Sequence, residues 1–248
     1  MARDLKRRKA RERRGLFVAE GVRCVEELVK SSLKIEGVLY APQVEEAPRG
    51  ADLMDSIRER GLTVEAVSAA EFASAAETES PQGVLALAEI PATTLDDVAQ
   101  ADTLRLLILD AVQDPGNVGT IVRTAAALGA HAVVALPGTV DLWNAKVVRS
   151  GMGAHFQFPS VTATAESLDR LRTTHGLKLW GADAHGDVLG PDRDRPRKLG
   201  IVVGNEGAGL SESVRGLLDR LVAIPIERST DSLNVAVAAG ILLHQVRT

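Results

Sequence analysis

The stretch from Lys198 to the C-terminus constrains the fold most strongly, because it reads as two apolar strands that each lead into a polar turn. The first apolar run covers residues 199–203 and is followed by the turn GNEGAGL at residues 204–210. The second covers residues 221–226 and leads through polar residues to a segment, 235–244, that is apolar nearly all round. Ligands of α/β sheets bind beyond the carboxyl ends of the strands. The two turns therefore predict one pocket.

Upstream of this stretch, strand-like apolar runs alternate with helical patterns. A first group of such elements covers residues 1–92, and a polar segment at residues 93–103 separates it from a second group at residues 104–248. We expect a small N-terminal α/β domain, a linker and a larger α/β domain. Repeated strand–helix units favour a mainly parallel sheet with helices on both faces.

The composition is that of an ordinary globular protein, with 45% hydrophobic and 25% charged residues. The longest apolar run is about half of a membrane span, and no apolar segment follows the basic N-terminus. We therefore expect no membrane partner, no secretory signal and a cytoplasmic location. Cys24 is the single cysteine and the five histidines lack metal-ligand spacing, so we expect neither disulfides nor a metal.

Charge is unevenly distributed along the chain. Residues 1–14 carry eight basic and two acidic side chains, whereas the formal net charge of the whole chain is −4. A basic arm on an acidic body suits contact with nucleic acid phosphates, because the release of counterions supplies affinity. A solvated, frayed terminal helix is an equally good interpretation of the charges alone.

Three motifs follow one another in the second group of elements. They are LDAVQDPGNVGTIVRTAAALGA at residues 109–130, VVGNEGAGLS at residues 202–211 and AIPIERSTDSLNVAVAAG at residues 223–240. In this order they resemble the TrmH/SpoU class of the SPOUT superfamily. Members of that class methylate ribose 2′-hydroxyls of RNA with S-adenosylmethionine. The resemblance implies this activity and co-substrate, and it implies a C-terminal trefoil knot, which pattern analysis alone would not suggest.

The N-terminal group carries two further similarities, GLFVAEGVRCVEEL at residues 15–28 and ESPQGVLALAEIP at residues 79–91. Both resemble the accessory substrate-binding domain of the same class, which implies an RNA partner and favours ribosomal RNA. Relatives dimerise through the C-terminal helix. A helix that is apolar all round must be buried on every side, so the resemblance implies a homodimer in which residues 235–244 take part.

Asn117 and Arg123 belong to an N-x-G-x-x-x-R motif. A helical arginine most often forms a surface salt bridge, but relatives place this arginine at the 2′-hydroxyl, where it is described as the general base. A charged guanidinium that stabilises the developing alkoxide is the alternative. Six residues turn a helix by a net angle of about 240°. Asn117 and Arg123 therefore share a face only if Asn117 precedes the helix as its cap.

Glu206, Ser232 and Asn234 are the other candidate catalytic residues, since the resemblance places their counterparts in the active site. Each also has a structural interpretation. Glu206 lies near the start of a short helix and could interact with its dipole. Ser232 and Asn234 flank Leu233 where the last helix begins, and one of them could be an N-cap.

The glycine-rich turn has the spacing G-x-x-G-x-G, whereas dinucleotide-binding turns have G-x-G-x-x-G. The glycines could serve only a tight turn, or they could let backbone groups approach an adenosine closely. The resemblance favours the second interpretation. The cofactor-binding residues that it implies are Gly204, Ile224 and Leu233, with Leu136, Gly138 and Ile226 as neighbours.

Two other functions remain as alternatives. A non-catalytic RNA-binding protein could share this scaffold, although the joint presence of all five candidate catalytic residues disfavours it. A nicotinamide-dependent oxidoreductase is a more distant alternative, which cofactor-binding titrations would test.

Overall fold

The structure is a computed structural model that describes residues 1–190, 195–227 and 232–247. The chain forms two compact units. One comprises Met1–Ala92 together with Trp143–Gln157, and the other comprises Thr93–Leu142 together with Phe158–Thr248.

Helices and strands alternate along the described residues. In chain order the helices are α1 (Arg8–Arg14), α2 (Val22–Lys30), α3 (Pro48–Glu59), α4 (Ala69–Ala75), α5 (Leu95–Ala99), α6 (Pro115–Ala127), α7 (Ala145–Ser150), α8 (Ala165–His175), α9 (Glu212–Arg215) and α10 (Val235–Val246). The strands are β1 (Leu16–Glu20), β2 (Ile35–Tyr40), β3 (Val64–Ala66), β4 (Val84–Glu89), β5 (Leu104–Asp110), β6 (Ala132–Ala135), β7 (Ser160–Thr162), β8 (Lys178–Val188), β9 (Lys198–Gly204) and β10 (Arg220–Ala223).

The first unit contains a four-stranded sheet in the order β1-β4-β2-β3, in which only β2 and β3 run parallel. It also contains Trp143–Gln157, a segment that the sequence places in the larger domain. Aromatic packing explains this difference. The ring of Phe17 lies 4.7 Å from the ring of Trp143 and 5.8 Å from that of Phe156.

The basic arm is folded into the first unit. Leu5 is buried, and the buried guanidinium of Arg11 donates hydrogen bonds to the carbonyl oxygens of Leu5 and Lys6, at 2.6 and 3.0 Å. Arg11, one of the eight basic residues of the arm, therefore has a structural role. Arg7, Lys9 and Arg13 remain exposed.

The second unit contains a six-stranded sheet in the order β10-β8-β9-β5-β6-β7, and every neighbouring pair is parallel. All residues of β5 are buried, as expected for a central strand covered on both faces. The predicted α/β fold with a mainly parallel sheet is confirmed. The trefoil knot stays a prediction.

The segment predicted as a linker, residues 93–103, is not an open connection. It contains α5, whose Leu95 and Ala99 are buried in the core of the second unit. Thr94 and Asp97 form a capping box that begins this helix. The predicted boundary at residue 104 therefore lies inside the second unit.

Two other boundaries matter for the site. The sequence of residues 113–119 is typical of a loop and predicts a helix that begins at Thr120. Helix α6 instead begins at Pro115, because Asp114 accepts a hydrogen bond from the backbone N–H of Asn117 and caps it. The sequence of residues 183–197 predicts a polar loop, of which residues 191–194 lie outside the described residues. The first part of this segment is strand, because β8 continues to Val188.

Arg105 ties the last helix to the sheet. This side chain is buried, and its Nε donates to the carbonyl oxygen of Val246, at the end of α10, at 2.9 Å. Its Nη1 donates to the carbonyl oxygens of Leu104, Pro196 and Arg197 at 2.9–3.0 Å. Burial lowers the pKa of Arg105 below its ordinary value. One cation thus satisfies carbonyl groups from three segments.

Among the described residues, no helix combines the length and apolarity needed to cross a lipid bilayer.

Replacing Arg105 by methionine should lower the free energy of unfolding by about 2–4 kcal/mol, because several buried carbonyl groups lose their donor. Urea denaturation would measure this change. Arg170→Met is the matched control, since Arg170 pairs with Asp96 while both side chains are 58% exposed, and exposed pairs contribute little. Equal stability of the two variants would contradict the role of Arg105.

Candidate active site

Three predicted catalytic residues form one chain of hydrogen bonds. Asn117 Nδ2 donates to Glu206 Oε1 at 2.9 Å, and Asn234 Nδ2 donates to Asn117 Oδ1 at 3.0 Å. A carboxylate can only accept hydrogen bonds, so Glu206 fixes the orientation of the Asn117 amide. Asn117 in turn fixes the orientation of the Asn234 amide. The three side chains act as a single unit.

Two helix N-termini bring this chain of hydrogen bonds together. Asn117 lies in the first turn of α6, which Asp114 caps. Asn234 is the N-cap of α10, and its Oδ1 accepts from the backbone N–H groups of Ala236 and Val237. Asn234 is therefore both the N-cap of α10 and a hydrogen-bond donor to Asn117. The helices also pack closely, since a Cβ on Gly240 would lie 3.2 Å from the Thr124 methyl group.

Arg123 lies apart from this unit. Asp114, rather than Asn117, caps α6, so Asn117 and Arg123 lie on different faces of the helix. Arg123 is exposed, and within the part of the chain that the structure describes no hydrogen bond or ion pair engages it. Its guanidinium is thus available to an external ligand.

A cavity of about 210 Å³ lies beside Glu206, at the carboxyl ends of β9 and β10. Most of the predicted cofactor-binding residues are in its lining. They are Gly204, Ile224, Ile226 and Leu233. Ser232 also lines it, and in the described residues no hydrogen bond joins Ser232 to the other candidates. The remaining lining comes from α10, β8, β10 and the turn after β9.

Leu136 and Gly138 are not in the lining of this cavity. They follow β6, which is separated from β9 by β5 in the sheet. Leu136 is buried in the core. Gly138 has a φ of 90°, and a Cβ there would lie 2.9 Å from the Ala111 methyl group. Gly138 therefore lies in a tight turn, and the placement of Leu136 and Gly138 beside the cofactor stays a prediction.

The glycine-rich turn folds back on the end of β9. A Cβ on Gly204 would lie 2.4 Å from the carbonyl group of Gly209, so only glycine fits there. Asn205 Oδ1 accepts from the backbone N–H groups of Gly207 and Ala208 at 2.9 Å. Asn205 Nδ2 donates to the carbonyl oxygen of Ala111 at 3.0 Å. This organising role of Asn205 is not evident from the motifs of the sequence.

Asp110 is a second residue with an organising role that was missed. It ends β5, is buried, and accepts from the backbone N–H and the hydroxyl of Ser211 at 2.7 and 3.1 Å. The exit of the glycine-rich turn is thereby held against β5. A carboxylate directly after the apolar run at residues 106–109 is the signal that could have indicated it.

Asp183 is the third missed residue, and its side chain is 15% exposed where it lines the cavity. The backbone N–H of His185 and the guanidinium of Arg215 hold the pKa of this carboxyl below its usual value. The sequence pattern alone places Asp183 in a polar loop, whereas the structure places it on β8.

No group of three or more His, Cys, Asp or Glu side chains among the described residues could hold a metal ion.

The chain matches the SpoU rRNA methylase family over residues 105–244, which is more than half of its length. This chain belongs to the SpoU rRNA methylase family. Residues 1–86 match the MRM3-like substrate binding domain.

Characterised SpoU family members are similar over most of the chain. The 23S rRNA (guanosine(2553)-2′-O)-methyltransferase RlmP of Bacillus subtilis is 35% identical over 97% of this chain and 92% of its own length. The 23S rRNA (uridine(2479)-2′-O)-methyltransferase of Streptomyces viridochromogenes is 32% identical over 96% and 84%.

Solved SpoU structures share the fold. AviRb from Streptomyces viridochromogenes in complex with AdoMet has a TM-score of 0.84 and 32% identity, covering 99% of this chain and 94% of that one. An AdoMet-bound rRNA methyltransferase from Sinorhizobium meliloti has a TM-score of 0.82 and 30% identity, covering 99% and 92%. The predicted family, the enzyme class and S-adenosylmethionine as co-substrate are confirmed. The two alternative functions lose their support.

The polarity of the hydrogen-bonded chain can be tested by exchanging donor and acceptor. Asn117→Asp removes the donor to Glu206 and adds a like charge, so it should destabilise the fold. Glu206→Gln supplies a donor to Asp at position 117 and should recover part of the loss, with a coupling free energy of about 1 kcal/mol. Urea denaturation of the four proteins in the cycle would measure it. Additive effects would mean that Asn117 and Glu206 do not form this bond.

Proposed function

We propose that this protein transfers a methyl group from S-adenosylmethionine to a ribose 2′-hydroxyl of ribosomal RNA. The observation that carries the proposal is the hydrogen-bonded unit of Glu206, Asn117 and Asn234 beside an adenosine-sized apolar cavity. The SpoU relatives named above act on 23S rRNA. Nothing in the site favours a second function.

The cavity suits the chemistry of the co-substrate. Its walls include Ile224, Ile226 and Leu233, which would cover the apolar faces of an adenosine, while the backbone at Gly204 is open to close approach. Asp183 and Glu206 add carboxylates, which suit a ligand with a net positive charge. We assign cofactor binding to Gly204, Ile224, Ile226 and Leu233.

S-adenosylmethionine carries its methyl group on a sulfonium, which is already an activated leaving group, so the work of the chain is positioning and charge stabilisation. Arg123 has the charge and the exposure for this work at the ribose. Deprotonating a guanidinium at pH 7 costs about 7 kcal/mol or more. We therefore assign Arg123 to binding the adjacent phosphate and stabilising the developing alkoxide.

Glu206 and Asn117 orient the ribose. Glu206 keeps acceptor capacity beyond its bond to Asn117, because a carboxylate offers about four lone-pair positions. It can thus accept a hydrogen bond from a ribose hydroxyl. Asn234 holds Asn117 in place. Ser232 lies on the other side of Leu233, and no hydrogen bond within the described part of the chain engages its hydroxyl. We assign Ser232 to contact with the substrate.

The first unit would supply RNA binding, with residues 1–92 as the substrate-binding domain. Its match to a substrate-binding domain and the exposed cations Arg7, Lys9 and Arg13 support this role. Phosphate contacts of such residues should make binding depend on salt. We expect the protein to act in the cytoplasm.

A homodimer would cover the remaining apolar surface of the second unit. Helix α10 buries Ala239 and Leu242, but Val237 is 52% exposed and Ile226, near the cavity, is 38% exposed. A second copy of the chain would remove this surface from water. We propose that α10 lies in the dimer interface and that the C-terminal trefoil knot completes the fold.

Arg123→Ala should abolish methyl transfer while leaving the affinity for S-adenosylmethionine within a few-fold, since Arg123 does not line the cavity. Methylation of ribosomal RNA with a radioactive methyl donor, together with calorimetry, would measure both quantities. Arg123→Lys should also fail, because a point charge does not replace a planar fork. Near-normal turnover in either variant would remove Arg123 from the mechanism.

Val237→Glu should produce monomers with an intact fold and little activity, because it places a charge on an exposed apolar position of α10. Sedimentation and circular dichroism would establish size and folding. Val188→Glu is the matched control, since Val188 is 55% exposed on β8. An active monomeric wild-type protein at micromolar concentration would contradict the dimer.

A further inference from the structure

Strand β8 loses its pairing with the neighbouring strands β9 and β10 in the middle of its length. It pairs with β9 only as far as Gly181, opposite Val202. Against β10, Gly181 lies opposite Leu221 while Asp187 lies opposite the very next residue, Val222. Residues 182–186 therefore have no partners on β10 and form an excursion from the sheet. Such irregularities are typical of strands beside active sites.

The excursion forms one wall of the cavity. Ala182, Asp183 and Ala184 all line it, together with residues of the glycine-rich turn. Strand pairing resumes tightly afterwards, because a Cβ on Gly186 would lie 2.5 Å from the backbone nitrogen of Val222. The only charged side chain that the excursion brings to the cavity is Asp183, within the residues that the structure describes.

The carboxylate of Asp183 is held in a fixed position. Oδ2 accepts from Arg215 Nη2 at 2.6 Å, and Oδ1 accepts from the backbone N–H of His185 at 3.0 Å. Arg215 Nε also donates to the carbonyl oxygen of Leu210 at 3.2 Å, so this guanidinium joins the excursion to the glycine-rich turn. These bonds leave part of the acceptor capacity of Asp183 unused. They also keep its pKa low, so the group is ionised at neutral pH.

We propose that Asp183 selects the cationic methyl donor over its neutral product. This inference rests on the proposed function. Transfer breaks the bond between sulfur and the methyl carbon and leaves the electron pair on sulfur, while the ribose oxygen gains the methyl group and releases its proton to solvent water. The sulfonium is thereby converted into an uncharged thioether. Asp183 lines the cavity whereas its partner Arg215 does not, so a sulfonium in the cavity lies nearer the carboxylate than the guanidinium. The carboxylate therefore stabilises the charged ligand more than the uncharged one.

Tighter binding of the methyl donor than of its product would favour release of the product after each transfer. Both ligands share the adenosine and the amino acid group, so the apolar walls bind them equally. Uniform binding of this kind cannot favour release of the product. The attraction between Asp183 and the sulfonium exists only before transfer, so it makes the donor bind more tightly than the product.

Isothermal titration calorimetry of the full chain with S-adenosylmethionine, S-adenosylhomocysteine and 5′-methylthioadenosine would test the proposal. In Asp183→Asn the ratio of the first two affinities should fall about three- to tenfold relative to wild type. The affinities for S-adenosylhomocysteine and methylthioadenosine should change by less than about twofold, because neither ligand carries the sulfonium charge. Asp183→Ser, which lacks both the charge and the amide, should shift the ratio in the same direction.

Asp187→Asn is the matched control. Asp187 lies on the same strand and pairs with Arg220 at 2.9 Å, but its side chain is 69% exposed and outside the cavity lining. In Asp187→Asn the ratio of the affinities for S-adenosylmethionine and S-adenosylhomocysteine should equal that of wild type.

Three results would overturn the proposal. If Asp183→Asn weakens all ligands equally, Asp183 contacts a part that they share, such as the ribose. If the ratio is unchanged, the charge selectivity lies elsewhere, for instance at Glu206. In both cases the proposed methyl transfer would stand. If the wild-type chain binds neither S-adenosyl ligand, the proposed function fails as well.

Discussion

The side-chain amide of Asn117 joins three segments that are far apart in the sequence. Its donor engages Glu206 on the glycine-rich turn, and its acceptor engages Asn234 at the start of α10. Neither a carboxylate nor an amine could do both, because the first only accepts and the second only donates. Asparagine at this position therefore sets the distance between the turn and two helix N-termini. The geometry of the proposed ribose site depends on that distance.

Two buried charged side chains, Arg105 and Asp110, attach neighbouring segments to the two ends of the central strand β5. At the amino ends of the strands, Arg105 satisfies carbonyl groups of α10 and of the approach to β9. At the carboxyl ends, Asp110 satisfies donors of Ser211 after the glycine-rich turn. Both residues lie at the ends of β5, the strand next to β9 in the middle of the sheet. The apolar interior of β5 provides burial, and its charged ends determine where the neighbouring segments attach.

The sequence was sufficient for the sheet and for the residues around the turns, because both depend on local patterns and on motifs. Alternation of apolar runs predicted the parallel sheet, and the motifs predicted that Asn117, Glu206 and Asn234 belong together. The start of α6 was misplaced because its cap, Asp114, lies within a loop-like sequence rich in Pro and Gly. The wall that carries Asp183 could not be predicted, since it depends on where β8 loses its partners. Assignment of residues 143–157 to the first unit depends on contacts between aromatic rings distant in sequence.

The excursion of β8 is a place where the sequence can change while the sheet stays intact. Residues 182–185 lie between the two parts of β8 that pair with β10, so insertions or exchanges there need not propagate into the sheet. Gly186 is excluded from this freedom, because it packs against the backbone of Val222. The glycine-rich turn has no such freedom, because Gly204 and Gly209 are in backbone contact. The wall formed by the glycine-rich turn is thus fixed by close packing, and the wall formed by β8 can vary between descendants of the same ancestor. Substitutions that adapt ligand discrimination should accumulate on the strand and spare the turn.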